Sequence, residues 1–319
     1  MSYTIIRPKD RQEWLKHRES GIGSSEVGTI LGLNPFETPY RLWRRKKGLD
    51  APKQENFAMR AGHYLEDAVS LFYRDETGKE IIKASAGDWL IVNNEKQYLR
   101  VSPDRTFWIP GRPKSDRNKG ILECKTTQME VDTDSLPQHW FCQLQYQLGV
   151  AELEQGALAW LTMGREFGFR DIMFDKEFYD YMIEEVDKFW IDNIVGGQEP
   201  LLQSVEDVLL KNPRHVVGKS VEADDELIAM CSELKTIKEE LEGLDSRKKD
   251  IENAIKMAIG DAEALVVPGV SKAKPTILAT WKAAKDSTKF NEKKFAEDKP
   301  ELYASYQYQV PGSRRFLLK

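Results

Sequence analysis

Two acidic residues and one lysine form the pattern most able to do chemistry: Ser102-Pro103-Asp104, eighteen intervening residues, then Glu123-Cys124-Lys125. Carboxylates are the hard oxygen donors that Mg²⁺ prefers. One at a strand turn and another on the neighbouring strand can hold a divalent ion between them. The backbone carbonyl of Cys124 can add a third oxygen. Side chains alternate along a strand, so Glu123 and Lys125 share a face and Cys124 takes the other. An ammonium on that face can position an attacking water. A divalent ion there polarises a phosphodiester and stabilises the charge that develops. Pro103 biases Ser102 to extended geometry and so helps fix the turn presenting Asp104. The rival reading is a turn aspartate plus an exposed Glu–Lys strand face. Charges set inside Gly-Ile-Leu-Glu-Cys-Lys-Thr-Thr weigh against it, because burial of unpaired charge is costly.

Elements on either side must position these groups. Asp10 is an N-cap for a helix over RQEWLKHRES, and Ser24-Ser25 caps a second helix through Leu31. Pro39 starts a third helix to about Lys47. The spacing of Leu65, Ala68, Val69, Phe72 and Tyr73 predicts a fourth over about 56–77. Strands are predicted over 80–84, 88–93, 98–101, 105–109 and 120–126, then a helix from Pro137 to about Val150. A hairpin over 157–162 and 167–174 follows, and a helix over 176–195 closes this part. Strand runs flanked by helices imply an α/β or α+β layer fold with a mixed sheet. A boundary is placed near 200–220, dividing the chain into 1–210 and 211–319. In the second part, apolar residues recur in heptads between Asp224 and Gly260. Leu227, Leu234, Leu241 and Ile255 form one set, with Lys248 the exception, and Met230, Ile237, Leu244, Ile251 and Ala258 form the other. That alternation predicts a long coiled-coil-like helix, against the rival of a long helix packed on its own chain. Strands at 276–282 and 313–318 and a helix near 291–297 complete a small α+β end.

Composition sets outer bounds. The 319 residues carry a net charge of −5 and only three cysteines, Cys124, Cys142 and Cys231, none in a CxxC pair. A disulfide framework, a zinc site and four-cysteine iron–sulfur ligation are therefore not expected. No apolar run reaches membrane-spanning length and the N-terminus lacks an apolar signal core, so a cytoplasmic protein is expected. Basic residues cluster at 41–47 and in the polar loop 110–119, with a smaller pair at Arg314-Arg315; a phosphate-facing surface and a solvated face are both open readings.

Four segments between about residues 10 and 200 carry a family resemblance. They are Arg18-Glu19-Ser20-Gly21-Ile22-Gly23-Ser24-Ser25-Glu26-Val27, with Leu31-Gly32 and Asn34-Pro35-Phe36; Gly62-His63-Tyr64-Leu65-Glu66; the Asp104 and Glu123-Cys124-Lys125 core; and Gln143-Leu144-Gln145-Tyr146. Together they resemble the YqaJ-like viral recombinases, relatives of the phage lambda exonuclease in the PD-(D/E)XK nuclease superfamily. The resemblance implies a restriction-endonuclease-like core. It implies that Asp104 and Glu123 ligate metal with Glu66 supporting, that Lys125 activates water, and that Gln143 orients it. Arg18 and Ser25 match positions that hold a terminal 5′-phosphate. Ser24 and the cluster residues Arg44 and Arg45 are grouped with them as DNA-binding candidates. Arg suits a phosphate because its guanidinium offers a planar fork of donors. The implied activity is a Mg²⁺-dependent (alternatively Mn²⁺-dependent) 5′→3′ exonuclease acting on duplex DNA ends and leaving 3′ single strands for recombination. In relatives it works beside a single-strand annealing protein and as a ring of three subunits. Arg105 departs from the family pattern, in which many members have Gly after the motif Asp. An endonuclease or nickase on the same core, and a non-catalytic module whose heptad helix recruits a partner, are the competing readings. His139, one helical turn before Gln143, is read as structural or DNA-contacting. Tyr40 and Trp43 could stack on a base, although core packing is the favoured reading.

Overall fold

The computed structural model describes residues 2–50, 56–83, 90–268, 274–310 and 312–319, apart from the side chain of Arg11. The chain divides into two compact units, Met1–Lys211 and Asn212–Lys319. In the first, the order is β1 (Tyr3–Ile6), α1 (Arg11–Glu19), β2 (Ile22–Gly23), α2 (Ser24–Ile30), α3 (Pro39–Lys46), α4 (Phe57–Thr77), β3 (Ile81–Ile82), β4 (Leu90–Asn93), β5 (Leu99–Val101), β6 (Arg105–Trp108), β7 (Lys119–Thr127), α5 (Gln138–Ala151), β8 (Gln155–Thr162), β9 (Glu166–Met173), α6 (Lys176–Lys188) and α7 (Val205–Lys211). The second contains α8 (Asp225–Ile259), β10 (Ala264–Val267), β11 (Thr276–Thr280), α9 (Glu292–Asp298) and α10 (Pro300–Ser305).

The first unit is a mixed α/β structure. Its larger sheet runs β3-β6-β7-β8-β9 and is antiparallel except where β7 and β8 lie parallel across the α5 crossover. A smaller sheet, β1-β4-β5-β2, has one parallel pair, Ile22 beside Leu99. The short strand β2 is what brings the Gly23-Ser24-Ser25 segment to the side of β5. α4 packs on β7, with Val69 and Tyr73 fully buried against Phe107 and Leu122. α5 packs between the sheets. It places Leu144, Tyr146 and Leu148 in the main core, where the Tyr146 hydroxyl donates to the Ile22 carbonyl at 3.0 Å. α5 is buried on nearly every side and carries Gln143, Gln145 and Gln147 into that interior. Gly120 permits the close β6–β7 approach, since a Cβ there would stand 2.2 Å from the Phe107 ring.

Local chemistry explains most boundaries. The side chains of Asp10, Thr38, Asn56, Asp175 and Asp224 cap α1, α3, α4, α6 and α8 by accepting from the backbone three residues on. Gly78 closes α4 in a left-handed conformation with φ 68°.

Several expectations need correction. The predicted helix over 176–195 is α-helical only to Lys188 and continues as a π-helix over Phe189–Val195. The segment 313–318, expected as a strand, is irregular, because no neighbouring strand pairs with it. Strands β1 and β10 and helices α7 and α10 had no sequence counterpart. The predicted strands at 80–84 and 88–93 shorten to β3 and β4, with Ala84, Asp88 and Trp89 outside the described residues.

Candidate active site

The β6–β7 register builds the centre. Arg105 pairs with Leu122, so the preceding residue, Asp104, falls beside Glu123 where β6 begins. Asp104 Oδ2 accepts the Cys124 N–H at 2.8 Å. In an extended strand the N–H and C=O of one residue point to the same side, so the Cys124 carbonyl also faces Asp104 and not β8. Glu123 and Lys125 share a face, and Lys125 Nζ donates to Glu123 Oε1 at 2.8 Å. From α5, Gln143 spans both: its Oε1 accepts from Lys125 Nζ at 2.8 Å and its Nε2 donates to Glu123 Oε1. Asp104, Glu123, Lys125 and Gln143 thus converge from a turn, a strand and a helix.

Glu123 is 2% exposed, so its carboxylate depends on these donors. Burial and the nearby charges of Glu123 and Glu66 push the Asp104 carboxyl well above its ordinary range, against the pull of Lys125 and the Cys124 N–H. Burial alone would lower Lys125, but Glu123 and Asp104 outweigh it and hold the ammonium above its ordinary range. Glu66, on α4, places its Oε1 3.0 Å from His63 Nδ1. Its other oxygen is 3.9 Å from Arg105 Nη1. Among the described residues, no group of three His, Cys, Asp or Glu side chains stands together as a closed metal cage.

A cleft of about 550 Å³ opens beside this centre. Asp104, Gln143 and Glu66 line it together with Arg18, Ser24 and Ser25. Arg18 Nη2 donates to Ser25 Oγ at 2.7 Å, and the guanidinium stacks 5.1 Å from the centre of the Trp14 ring. The turn carrying the serines is fixed from behind by Glu26. This carboxylate accepts from the Gly23 N–H at 2.9 Å and pairs with Lys46 at 2.8 Å and Arg45 at 3.0 Å. Burial raises the pKa of Glu26, but Lys46, Arg45 and Arg18 overcome it and hold the carboxylate below its ordinary range.

Arg44 and Arg45 do not line the cleft. Arg44 is held by both oxygens of Asp50, and Arg45 by Glu37 and Glu26. Their charges are neutralised locally, which a count of basic residues does not show. Three of the four cations of the 110–119 loop are likewise paired, Arg112 to Glu154, Lys114 to Glu80 and Lys119 to Asp116. His139 packs edge-on against Phe36 and Trp140, and a Cβ on Gly28 would stand 2.7 Å from the His139 Cβ. Tyr40 and Trp43 are buried and stack on each other at 5.7 Å. Cys142 is buried, and burial raises its thiol to about 11, unsuited to a nucleophile.

Three residues at the site had no role assigned from the sequence. Gln147, fully buried, donates through Nε2 to Glu123 Oε2 at 2.8 Å and to Ser24 Oγ at 3.2 Å. Its position four residues after Gln143, on the same face of α5, was the available signal. Arg105, the departure from the family pattern, is buried and bridges from β6 to Asp67 and toward Glu66 on α4. Lys46, buried beside Glu26, donates to the Gly21 carbonyl at 2.6 Å.

The sequence model of the YqaJ-like viral recombinase domain matches residues 13–154. Over nearly its whole length, the chain is 30% identical to YqaJ of Bacillus subtilis (strain 168), an alignment of 322 residues covering 97% of this chain and 94% of the relative. The chain belongs to the YqaJ-like viral recombinase family. The family relationship thus extends through α8 and the small C-terminal elements, well past the nuclease-like motifs. A second relative, protein R354 of Acanthamoeba polyphaga mimivirus, is 24% identical over 160 residues, 45% of this chain and 27% of that one. Among solved structures, the alkaline exonuclease LHK-Exo of Laribacter hongkongensis is similar with a TM-score of 0.44 at 15% identity, covering 63% of this chain and 96% of that one. Its complex with dAMP gives a TM-score of 0.45 at 16% identity, with coverage of 63% and 97%. No helix among the described residues is long and apolar enough to cross a membrane.

Proposed function

We propose that this YqaJ-like chain is a divalent-metal-dependent DNA exonuclease that degrades duplex ends 5′→3′ and leaves 3′ single strands for recombination. One observation carries the reading: a single cleft is lined by Asp104, Gln143 and Glu66 together with Arg18, Ser24 and Ser25. A nuclease centre thereby lies beside a cationic pocket suited to a terminal phosphate. The family's description as a viral recombinase agrees with work at DNA ends.

The donor set fits Mg²⁺. Asp104 is raised by the like charges of Glu123 and Glu66, a repulsion that a hard cation would relieve. Mg²⁺ is usually held by one or two carboxylates and completes its shell with water and phosphate oxygens. Asp104, Glu123 and the Cys124 carbonyl would hold it, with Glu66 supporting from α4. Bound there, the ion would polarise the scissile phosphodiester and offset its developing charge.

The remaining work falls to the chain. Lys125, kept protonated by Glu123, orients the attacking water and stabilises negative charge that develops on it. Gln143 fixes both Lys125 and Glu123, so the three move as one unit. Arg18 grips the terminal 5′-phosphate through its planar fork, with Ser25 as a second donor. This grip sets the distance from the end to the cleaved bond and hence the direction of travel. In this reading the substrate is a duplex end, with a single-strand annealing protein as the downstream partner.

The test is digestion of linear duplexes labelled at either the 5′ or the 3′ end, with a covalently closed circle as control. Early release of the 5′ label as mononucleotide, with the circle untouched, is expected. Nicking of the circle at the rate of linear digestion would favour an endonuclease and reject the proposal.

A further inference from the structure

α8 spans Asp225–Ile259, about 52 Å at 1.5 Å per residue. Most of its heptad stripe is exposed within its own unit, with Leu234 and Ile255 half-buried. Leu227, Met230, Ile237, Leu241, Leu244 and Ile251 are all exposed, Leu244 by 63%. An apolar seam of this length, interrupted at Lys248, calls for a cover, because an exposed seam this size costs free energy in water.

The charges flanking the seam discriminate between ways of covering it with a second α8. Residues Leu227, Leu234, Leu241, Lys248 and Ile255 occupy the a positions and Met230, Ile237, Leu244, Ile251 and Ala258 the d positions. The e positions then hold Cys231, Lys238, Asp245 and Glu252, and the g positions Glu233, Glu240, Arg247 and Ala254. In a parallel pair, g faces the e position of the next heptad on the partner helix. Glu233 would then face Lys238 and Arg247 would face Glu252, two favourable pairs, but two contacts are unfavourable: Glu240 would oppose Asp245, a like-charge pair, and Lys248 would meet its own copy in an a layer. Reversing one helix changes both contacts. With Leu241 set against Leu244, the layers become Leu227–Ala258, Met230–Ile255, Leu234–Ile251, Ile237–Lys248 and Leu241–Leu244. In that register e faces e and g faces g. Lys238 then meets Asp245, and Glu240 meets Arg247, each pair occurring twice by symmetry, with no like-charge pair. Among the described residues none of these four side chains has an ion-pair partner within its own chain. Lys248, opposite Ile237, can lay its methylenes on the seam and carry its ammonium to the edge.

We propose that α8 pairs with α8 of a second copy of this chain as an antiparallel two-helix coiled coil in that register. Flanking charges set orientation even where each contributes little stability. The inference is independent of the nuclease reading.

Full-length chains test it by disulfide trapping at low micromolar concentration, in a Cys231→Ser background. Met230→Cys and Ile255→Cys are each oxidised alone and then as a mixture. The antiparallel register sets Met230 beside Ile255 and holds two copies of Met230 about 37 Å apart along the axis. The mixture is expected to form covalent dimer, and each variant alone is not. Adding Arg247→Glu to both should reduce trapping at least tenfold, and Glu240→Arg with Arg247→Glu should restore it. Trapping of either variant alone, no trapping in the mixture, or indifference to Arg247→Glu would each overturn the proposal.

Discussion

Gln147 Nε2 sits 2.8 Å from Glu123 Oε2, and the same nitrogen lies 3.2 Å from Ser24 Oγ. One buried amide therefore joins the proposed metal-binding strand to the proposed phosphate-gripping turn. Among the described residues the buried Gln147 Oε1 has no hydrogen-bond partner, so the polar contacts of the side chain run through its nitrogen. Gln147→Leu should leave the chain folded. It should raise the Mg²⁺ concentration for half-maximal cleavage by about 10- to 100-fold, the usual cost of losing a group that orients a metal ligand. A Mg²⁺ titration of the cleavage rate checks this, with circular dichroism as the folding control. An unchanged half-saturation point would make Gln147 a packing residue only.

Asp104 carries a stability cost that its proposed role requires. Burial and the charges of Glu123 and Glu66 disfavour its ionised form. Asp104→Asn keeps an oxygen for the Cys124 N–H and removes the charge. It should abolish cleavage while raising the Tm of the metal-free protein by about 2–4 °C, as expected for ~1 kcal/mol in a unit of this size. Thermal melts in chelator measure it. A fall in Tm would show that the carboxylate is stabilising as it stands.

Arg18 and the terminal phosphate are expected to act together. Arg18→Ala should slow digestion of 5′-phosphorylated ends by about 10- to 100-fold, the worth of a charge-assisted hydrogen bond. It should leave 5′-hydroxyl ends nearly unaffected, so that the two substrates become equivalent. The ratio of initial rates on the two ends reports the effect. Retention of the wild-type ratio in Arg18→Ala would remove Arg18 from end recognition.

Glu26 makes part of the stability depend on pH. Its carboxylate is buried, yet Lys46, Arg45 and Arg18 hold its folded pKa below the ordinary value of 4.5. A depressed folded pKa means that its contribution is fully present above that ordinary value and is lost as pH falls through the lower folded one. Glu26→Gln should therefore flatten the acid limb of the stability curve below about pH 4.5. At neutral pH it should cost about 3–5 kcal/mol, because Lys46 is left buried without its partner. Denaturant melts at a series of pH values give both quantities.

The sequence displayed the centre because its geometry is local. Pro103 and the 102–104 turn, the alternation that puts Glu123 and Lys125 on one face, and the helix after Pro137 all follow from short-range chemistry, and the structure brings Asp104, Glu123, Lys125 and Gln143 together. Pairings between distant segments were not legible. Arg44 and Arg45 belong to a basic run, but Asp50, Glu37 and Glu26 claim them only once the chain is folded. Arg105 stood out as a departure from the family motif, and its reach across to Asp67 depends on how α4 lies on the sheet. Strands as short as β2 and β1 exist because a partner edge was available, whereas 313–318 had a strand-like composition and no such edge. The π-helix after Lys188 leaves no mark in a periodicity suited to α-helices.

Lys125 offers the most direct test, because it touches both Glu123 and Gln143 and holds the one ammonium set against the carboxylates there. Lys125→Met should be compared with the wild-type chain on a 5′-phosphorylated duplex under single-turnover conditions at saturating Mg²⁺, with binding of the same duplex followed in Ca²⁺. The expected result is a cleavage rate lower by about 10²- to 10⁴-fold with DNA binding retained. Cleavage by Lys125→Met at the wild-type rate would contradict an active centre built on Asp104, Glu123 and Lys125.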